Sequence, residues 1–299
     1  MELKDIQSLY DPREIPIDKV GIKGIRYPVS VLDRRRGVQH TVAEINMFVD
    51  LPREFKGTHM SRFIEVLNEF REEIHIKNIP FILERMREKL SARAAHLEIS
   101  FPYFLKKEAP VTGSPSLMEY QCLIAGAKTE DRLDIVLGVK VPVMTVCPCS
   151  QAISEIGAHN QRGEVTLRVR FRRFVWIEDL IEIVEASASS PVYPLLKRPD
   201  EKHVTETAHR RPRFVEDVVR EVARRLLEHS EITWFAVSAE NFESIHAHNA
   251  YAYIERHRGD SEDVRKPLSS SLTLPQRGRE LAPPPSGRGS GGEHPRGDS

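Results

Sequence analysis

The sequence predicts an α+β protein made of two successive ββααββ units, each an antiparallel sheet with a pair of helices on one face. Two patterns predict it. Strand-like runs come in pairs that flank pairs of helix-like runs, the periodicity switching from two to 3.6 and back. The same order of elements begins again at residue 131, with no residue-level repeat beneath it. Composition agrees: a chain of 299 residues, 40% hydrophobic and 29% charged with a formal net charge of zero, has the apolar content for one large core or two ordinary ones.

A polar leader, residues 1–19, precedes the first unit, residues 20–130. Within that unit, residues 20–33 and 39–50 read as two strands about the turn-forming run RRRG. Residues 60–73 set Phe63, Leu67 and Phe70 at helical spacing, and residues 80–91 open on Pro80, which suits a first helical turn. Strand-like runs at 94–105 and 117–127 complete the unit. The second unit, residues 131–257, has strands at 133–145 and 164–174, helices at 176–187 and 213–228, and strands at 232–242 and 247–256. Between its helices, residues 188–212 read as a connector rich in charge and proline, and loops of that length are often functional. Residues 258–299 are rich in glycine and proline and hold no aromatic residue, which predicts a disordered tail outside the fold.

Zero net charge removes the electrostatic case for nucleic acid as the main partner, while leaving room for a local basic pocket. The N-terminus lacks the apolar run of a secretory signal, and no stretch approaches the ~20 apolar residues that span a bilayer. A cytoplasmic protein without membrane contact is expected. Three cysteines in a chain of this length do not form a disulfide framework. Cys122, in the strand-like run LMEYQCLIAG, reads as a buried inert thiol.

Four segments carry candidate chemistry. PVMTVCPCSQAISEIGAHNQRG, residues 142–163, places Cys147 and Cys149 on alternate residues with His159 following, and thiolate and imidazole are ligand types that zinc and its neighbours accept. Cysteines two apart on an extended backbone compete for one space, so both could ligate or one could ligate while the other shapes the turn, and a pair of small residues at a turn after a strand explains the same pattern. In AENFESIHAHNAY, His246 and His248 would share one strand face with Ala250 and Ala252, an acid/base or ligand arrangement. The connector offers Asp200, Glu201, His203, Glu206 and His209, followed by Glu216 and Asp217 in the first turn of the next helix. Carboxylates there are ordinarily caps, whereas Glu201 falls in a loop with no such duty. KGTHMSRF, residues 56–63, brings Thr58, Ser61 and Arg62 to a helix start, where free N–H groups suit an oxyanion but a simple N-cap with an exposed arginine explains the same pattern.

Taken together, PVMTVCPCSQAISEIGAHNQRGEV, LLKRPDEKHVTETA, RFVEDVVREVA, NFESIHAHNAYA and KGTHMSRF resemble the type IB GTP cyclohydrolase I family of prokaryotes, in order and spacing, from about residue 10 to about 257. The sequence departs at His203 and at the HRRP of 209–212, where the family tends to tyrosine and a Tyr-Asp-Asn-Pro-like run, and at Ala247, often polar there. The resemblance implies two tandem tunnelling-fold (T-fold) units per chain and a homotetramer with active sites at subunit interfaces. It also implies one divalent metal per site, zinc, manganese or iron, with no redox cofactor. By position, Cys147, His159 and Glu201 match the metal ligands. Glu216 matches the carboxylate that anchors the purine, while Glu243, His246 and His248 line the site. Cys149 becomes a neighbour within the catalytic set rather than a ligand, and Thr58, Ser61 and Arg62 become phosphate-binding candidates.

The implied activity is the first step toward tetrahydrofolate: GTP and water give 7,8-dihydroneopterin triphosphate and formate. Hydrolysis at guanine C8 needs a nucleophile that a metal provides by lowering the pKa of water toward ~7, and ring opening needs protons, a role that suits His246 and His248. Glu216 would accept from guanine N1–H and the 2-amino group, an edge adenine lacks. The rival readings are a T-fold nitrile reductase with a covalent cysteine and a nicotinamide cofactor, an iron-dependent cyclohydrolase that forms a cyclic phosphate, and a purine-binding scaffold without catalysis.

Overall fold

The computed structural model describes residues 5–70 and 74–258. The expected tail from 259 onward, the first four residues of the leader and the last three of the helix expected at 60–73 lie outside the described residues. The first half runs β1 (Ile17–Asp33), β2 (Gly37–Leu51), α1 (Met60–Glu69), a 3-10 turn (Ile76–Asn78), α2 (Ile79–Leu90), β3 (Ala95–Glu108) and β4 (Pro115–Lys128). The second half runs β5 (Leu133–Val146), α3 (Pro148–Ile153), β6 (Asn160–Phe171), α4 (Ile177–Glu185), β7 (Ser190–Pro191), α5 (Arg198–Arg210), α6 (Val215–Glu228), β8 (Ile232–Asn241) and β9 (Ala250–His257). Among the described residues the strands form one antiparallel sheet in the order β1-β2-β3-β4-β5-β6-β8-β9, with the two-residue β7 pairing to β5.

Alternation along the strands decides which face is covered. Leu97, Ile99, Phe101 and Tyr103 of β3, Leu137, Val139, Val141 and Val143 of β5, and Val165, Leu167 and Val169 of β6 all point to one buried side. Onto it fall Phe63, Val66 and Leu67 of α1, Ile82, Leu83 and Met86 of α2, Leu180, Ile181 and Val184 of α4, and Val218, Val222 and Leu226 of α6. Gly126 lets α2 approach β4, since a Cβ there would stand 2.7 Å from the Ile79 side chain and 2.9 Å from that of Leu83. The other face is mostly polar, with Arg170 paired to Asp134 and Lys140 to Glu164 around a small apolar patch of Leu123, Ala125, Val136, Trp234 and Ala236. A sheet covered on one side only is the ordinary antiparallel solution. Cys122 is buried in the core as the sequence predicts, and burial pushes its thiol well above the usual range.

The halves are joined by more than the β4–β5 pairing. Glu178, at the start of α4, accepts hydrogen bonds from the Arg34 backbone N–H (2.8 Å) in the β1–β2 turn and from the Tyr103 hydroxyl (2.9 Å) on β3. The N-terminal segment is also tied down, Lys56 N–H donating to Leu9 C=O and Gly57 N–H to Gln7 C=O.

The largest departures from the sequence reading lie in the second half. The expected loop at 188–212 contains a short strand and a 13-residue helix, α5. Pro199 in its first turn and Asp200, whose carboxylate accepts from the Lys197 N–H, start that helix, yet only Asp200 and Ala208 are buried along it, so no apolar stripe announces it. Glu201 is therefore helical rather than in a loop. The strand expected from 247 begins at Ala250, and His246 and His248 sit in bends before it. A short helix, α3, also occupies the segment after Cys147, where none was predicted.

Candidate active site

The site forms where β5 and β6 end together. Cys147 is the N-cap of α3: its backbone is extended and its Sγ accepts from the Ser150 N–H at 3.4 Å, with Pro148 opening the helix as a residue that needs no N–H partner there. The ladder that ends at Val146–Asn160 is continued by Cys147 N–H donating to His159 C=O at 3.1 Å. Ser150 closes the loop by accepting His159 N–H on its Oγ at 3.3 Å. Thiol and imidazole, twelve residues apart in sequence, are thus fixed side by side by backbone pairing. Cys149, in the first turn of α3, is exposed.

His159 is oriented by a chain of hydrogen bonds that begins in the core. Thr145 is fully buried and its hydroxyl accepts from Gln161 Nε2 at 3.0 Å. Placed so, Gln161 presents Oε1 to His159 Nδ1 at 2.9 Å. The tautomer that donates to Oε1 is the Nδ1–H form, and that form leaves the Nε2 lone pair for a metal. Ser244 Oγ at 3.4 Å and Glu243 Oε2 at 3.9 Å approach the same Nδ1. Gln161 was not among the residues singled out in the sequence, although a strand places it on the same face as His159 two positions earlier.

The bends of 242–249 deliver the other groups. Phe242 N–H donates to Arg162 C=O at 2.9 Å and Asn249 Nδ2 to Glu240 Oε1 at 2.7 Å, closing the base of the loop. At its tip the His246 and His248 rings are stacked, 5.2 Å apart and 5° from parallel, and His246 meets His159 edge-on at 6.4 Å. The two imidazoles are together as expected, through bends rather than a strand face.

The remaining candidates stand on helix starts. In α5, Asp200 performs the capping and leaves Glu201 exposed; in α6, Asp217 accepts from Phe214 N–H at 3.0 Å and leaves Glu216 exposed. Each helix thus begins with one carboxylate that caps and one without a side-chain partner among the described residues. Thr58 is buried, Ser61 is exposed on α1, and Arg62 donates to Lys89 C=O at 3.2 Å, next to the C-terminus of α2. No described hydrogen bond joins these three to the His159 cluster.

A thiol beside an imidazole is donor chemistry that zinc and related divalent ions accept, and in that respect Cys147 and His159 fit a divalent ion. Among the described residues no three His, Cys, Asp or Glu side chains converge to hold a metal, so Glu201 is not joined to that pair in the single chain. Comparison with known proteins names the family. The model described as Type I GTP cyclohydrolase folE2 matches residues 3–252. A GTP cyclohydrolase FolE2 of Syntrophus aciditrophicus is 62% identical over 252 residues, covering 84% of this chain and 99% of that protein. That of Geobacter sulfurreducens is 58% identical over 254 residues, 85% of this chain and 98% of that protein. The chain belongs to the type I GTP cyclohydrolase FolE2 family. A solved uricase from Arthrobacter globiformis aligns with 84% of this chain and 96% of its own at 10% identity, with a TM-score of 0.44, a likeness too loose to carry an argument.

Proposed function

We propose that this chain is a metal-dependent GTP cyclohydrolase I, converting GTP and water to 7,8-dihydroneopterin triphosphate and formate on the route to tetrahydrofolate. The observation that carries the reading is Cys147 beside His159, whose Nδ1 lies 2.9 Å from Gln161 Oε1, in a chain of this family. Cys147, His159 and Glu201 hold the ion, which is zinc, manganese or iron. When bound, it supplies the Lewis acidity that makes a hydrolytic nucleophile at neutral pH.

The chain's own residues do the rest. Glu216, free of capping duty, accepts from guanine N1–H and the 2-amino group, a paired edge that adenine would leave unmatched. The stacked pair His246 and His248 provides protons for the purine nitrogens as the ring opens, and Glu243 lines the site 3.9 Å from His159 Nδ1. Cys149 stands beside the reacting ring, and Thr58, Ser61 and Arg62 receive the triphosphate at the start of α1.

Two tandem T-fold units in a homotetramer, with sites at subunit interfaces, complete the reading. It is supported by the exposed Ile153, Ile156, Phe242 and Ile245 around the site, apolar groups that another subunit would cover. No described helix is long and apolar enough to cross a membrane, in keeping with a cytoplasmic enzyme. Metal-reconstituted protein incubated with GTP should release formate and leave a product with neopterin fluorescence after oxidation. NADPH-dependent turnover of a nitrile without metal, a cyclic phosphate product, or GTP binding without formate would each replace this reading.

A further inference from the structure

Helix α5 is held almost without hydrophobic packing. Of its 13 residues only Ala208 and Asp200 are buried, and an alanine contributes little of the apolar area that normally seats a surface helix. Its seat is polar. Asp200 is completely buried and accepts four hydrogen bonds: from Lys197 N–H at 2.9 Å at its own helix start, from Val111 N–H and Thr112 N–H at 2.9 Å each, and from the Thr112 hydroxyl at 2.8 Å. Three of the four donors belong to the β3–β4 turn, nearly ninety residues earlier and in the other half of the chain. The far end of α5 is pinned by Gln151 Nε2 of α3 donating to His209 C=O at 2.9 Å.

We infer that Asp200 is a positioning residue for the metal site, and that the β3–β4 turn of the first half, through Thr112, sets where Glu201 stands for the second half's ion. The inference rests on the proposed role of Glu201 as a ligand. Glu201 follows Asp200 directly, and its own N–H donates to Lys197 C=O at 2.9 Å. Its backbone is tied to the helix start while its side chain is exposed, so the carboxylate offered to the ion is carried from a point that Asp200 holds. If that point shifts, the third ligand is misplaced although Cys147 and His159 are untouched. Residues that orient a ligand in this way typically change metal affinity by about 10- to 100-fold when removed.

The test is titration of the full chain with Co2+ alone, following thiolate-to-cobalt and d–d absorption, for Thr112→Val, Thr112→Ser, Glu201→Gln and the Thr112→Val, Glu201→Gln double variant. Thr112→Val keeps both backbone donors and avoids the folding risk of removing Asp200. It should weaken Co2+ binding about 10-fold and shift the d–d bands toward those of Glu201→Gln, while Thr112→Ser keeps wild-type behaviour. In the Glu201→Gln background Thr112→Val should change nothing further. Wild-type affinity in Thr112→Val, or an equal loss in both backgrounds, overturns the positioning role and leaves Glu201 as a ligand. Unchanged binding in Glu201→Gln overturns the ligand assignment itself, and the inference with it.

Discussion

Replacing Gln161 by leucine tests how the imidazole of the site is held. Gln161 is 6% exposed and His159 Nδ1–H is its 2.9 Å partner, so the substitution deletes the acceptor while roughly keeping side-chain volume. The Nδ1 is left with the longer, weaker Ser244 Oγ contact at 3.4 Å, and Glu243 Oε2 stands 3.9 Å away. Removing the hydrogen-bond partner that orients a ligating histidine typically lowers metal affinity by about 10- to 100-fold. The Thr145 hydroxyl, fully buried, would also lose its amide partner, so a Thr145→Val, Gln161→Leu double variant separates the two effects. Competition between the protein and a chromophoric chelator for zinc reads the affinity. The expected result is a loss of at least about 10-fold in both variants; wild-type affinity in both would refute the tautomer argument.

Glu216→Gln should keep its metal and lose about 10- to 100-fold in kcat/KM for GTP, the cost of removing a charged acceptor; loss of metal would show that Glu216 is not the purine anchor. Burial, helped by Lys19, pushes the His96 ring from 6.5 down to about 4. The unfolded chain therefore binds the extra proton between those values. Stability from this group is complete above pH 6.5 and falls as the pH drops to about 4, by up to about 3 kcal/mol. Urea midpoints measured across that range should show the fall, and His96→Gln should flatten it. Gly126→Ala should lower stability by about 1–3 kcal/mol through its clash with Ile79 and Leu83, read as a lower urea midpoint, and an unchanged midpoint would mean that α2 has room to move.

What the sequence made legible follows from where burial is one-sided. Leu97, Ile99, Phe101 and Tyr103 alternate along β3, and Val218, Val222 and Leu226 recur along α6, so strands and helices declared themselves by period. Helix α5 has no such stripe. Its start is written in Lys197, Pro199 and Asp200, and Asp200 faces partners in the other half that local reading does not reach. Cys147 and His159 were legible as residue types, but their alignment depends on the β5–β6 ladder and on Ser150, and the tautomer of His159 on Gln161 and Thr145. The pairing of His246 with His248 was expected from strand geometry and arises instead from bends closed by Asn249, where ring stacking rather than the period of two brings them together.

Formate release from GTP and bound metal, measured on the same zinc-loaded samples of wild-type protein and Cys147→Ala, test the central claim most directly. The account predicts formate from the wild type with metal bound, and loss of both from Cys147→Ala. Formate released by Cys147→Ala at the wild-type rate would contradict it.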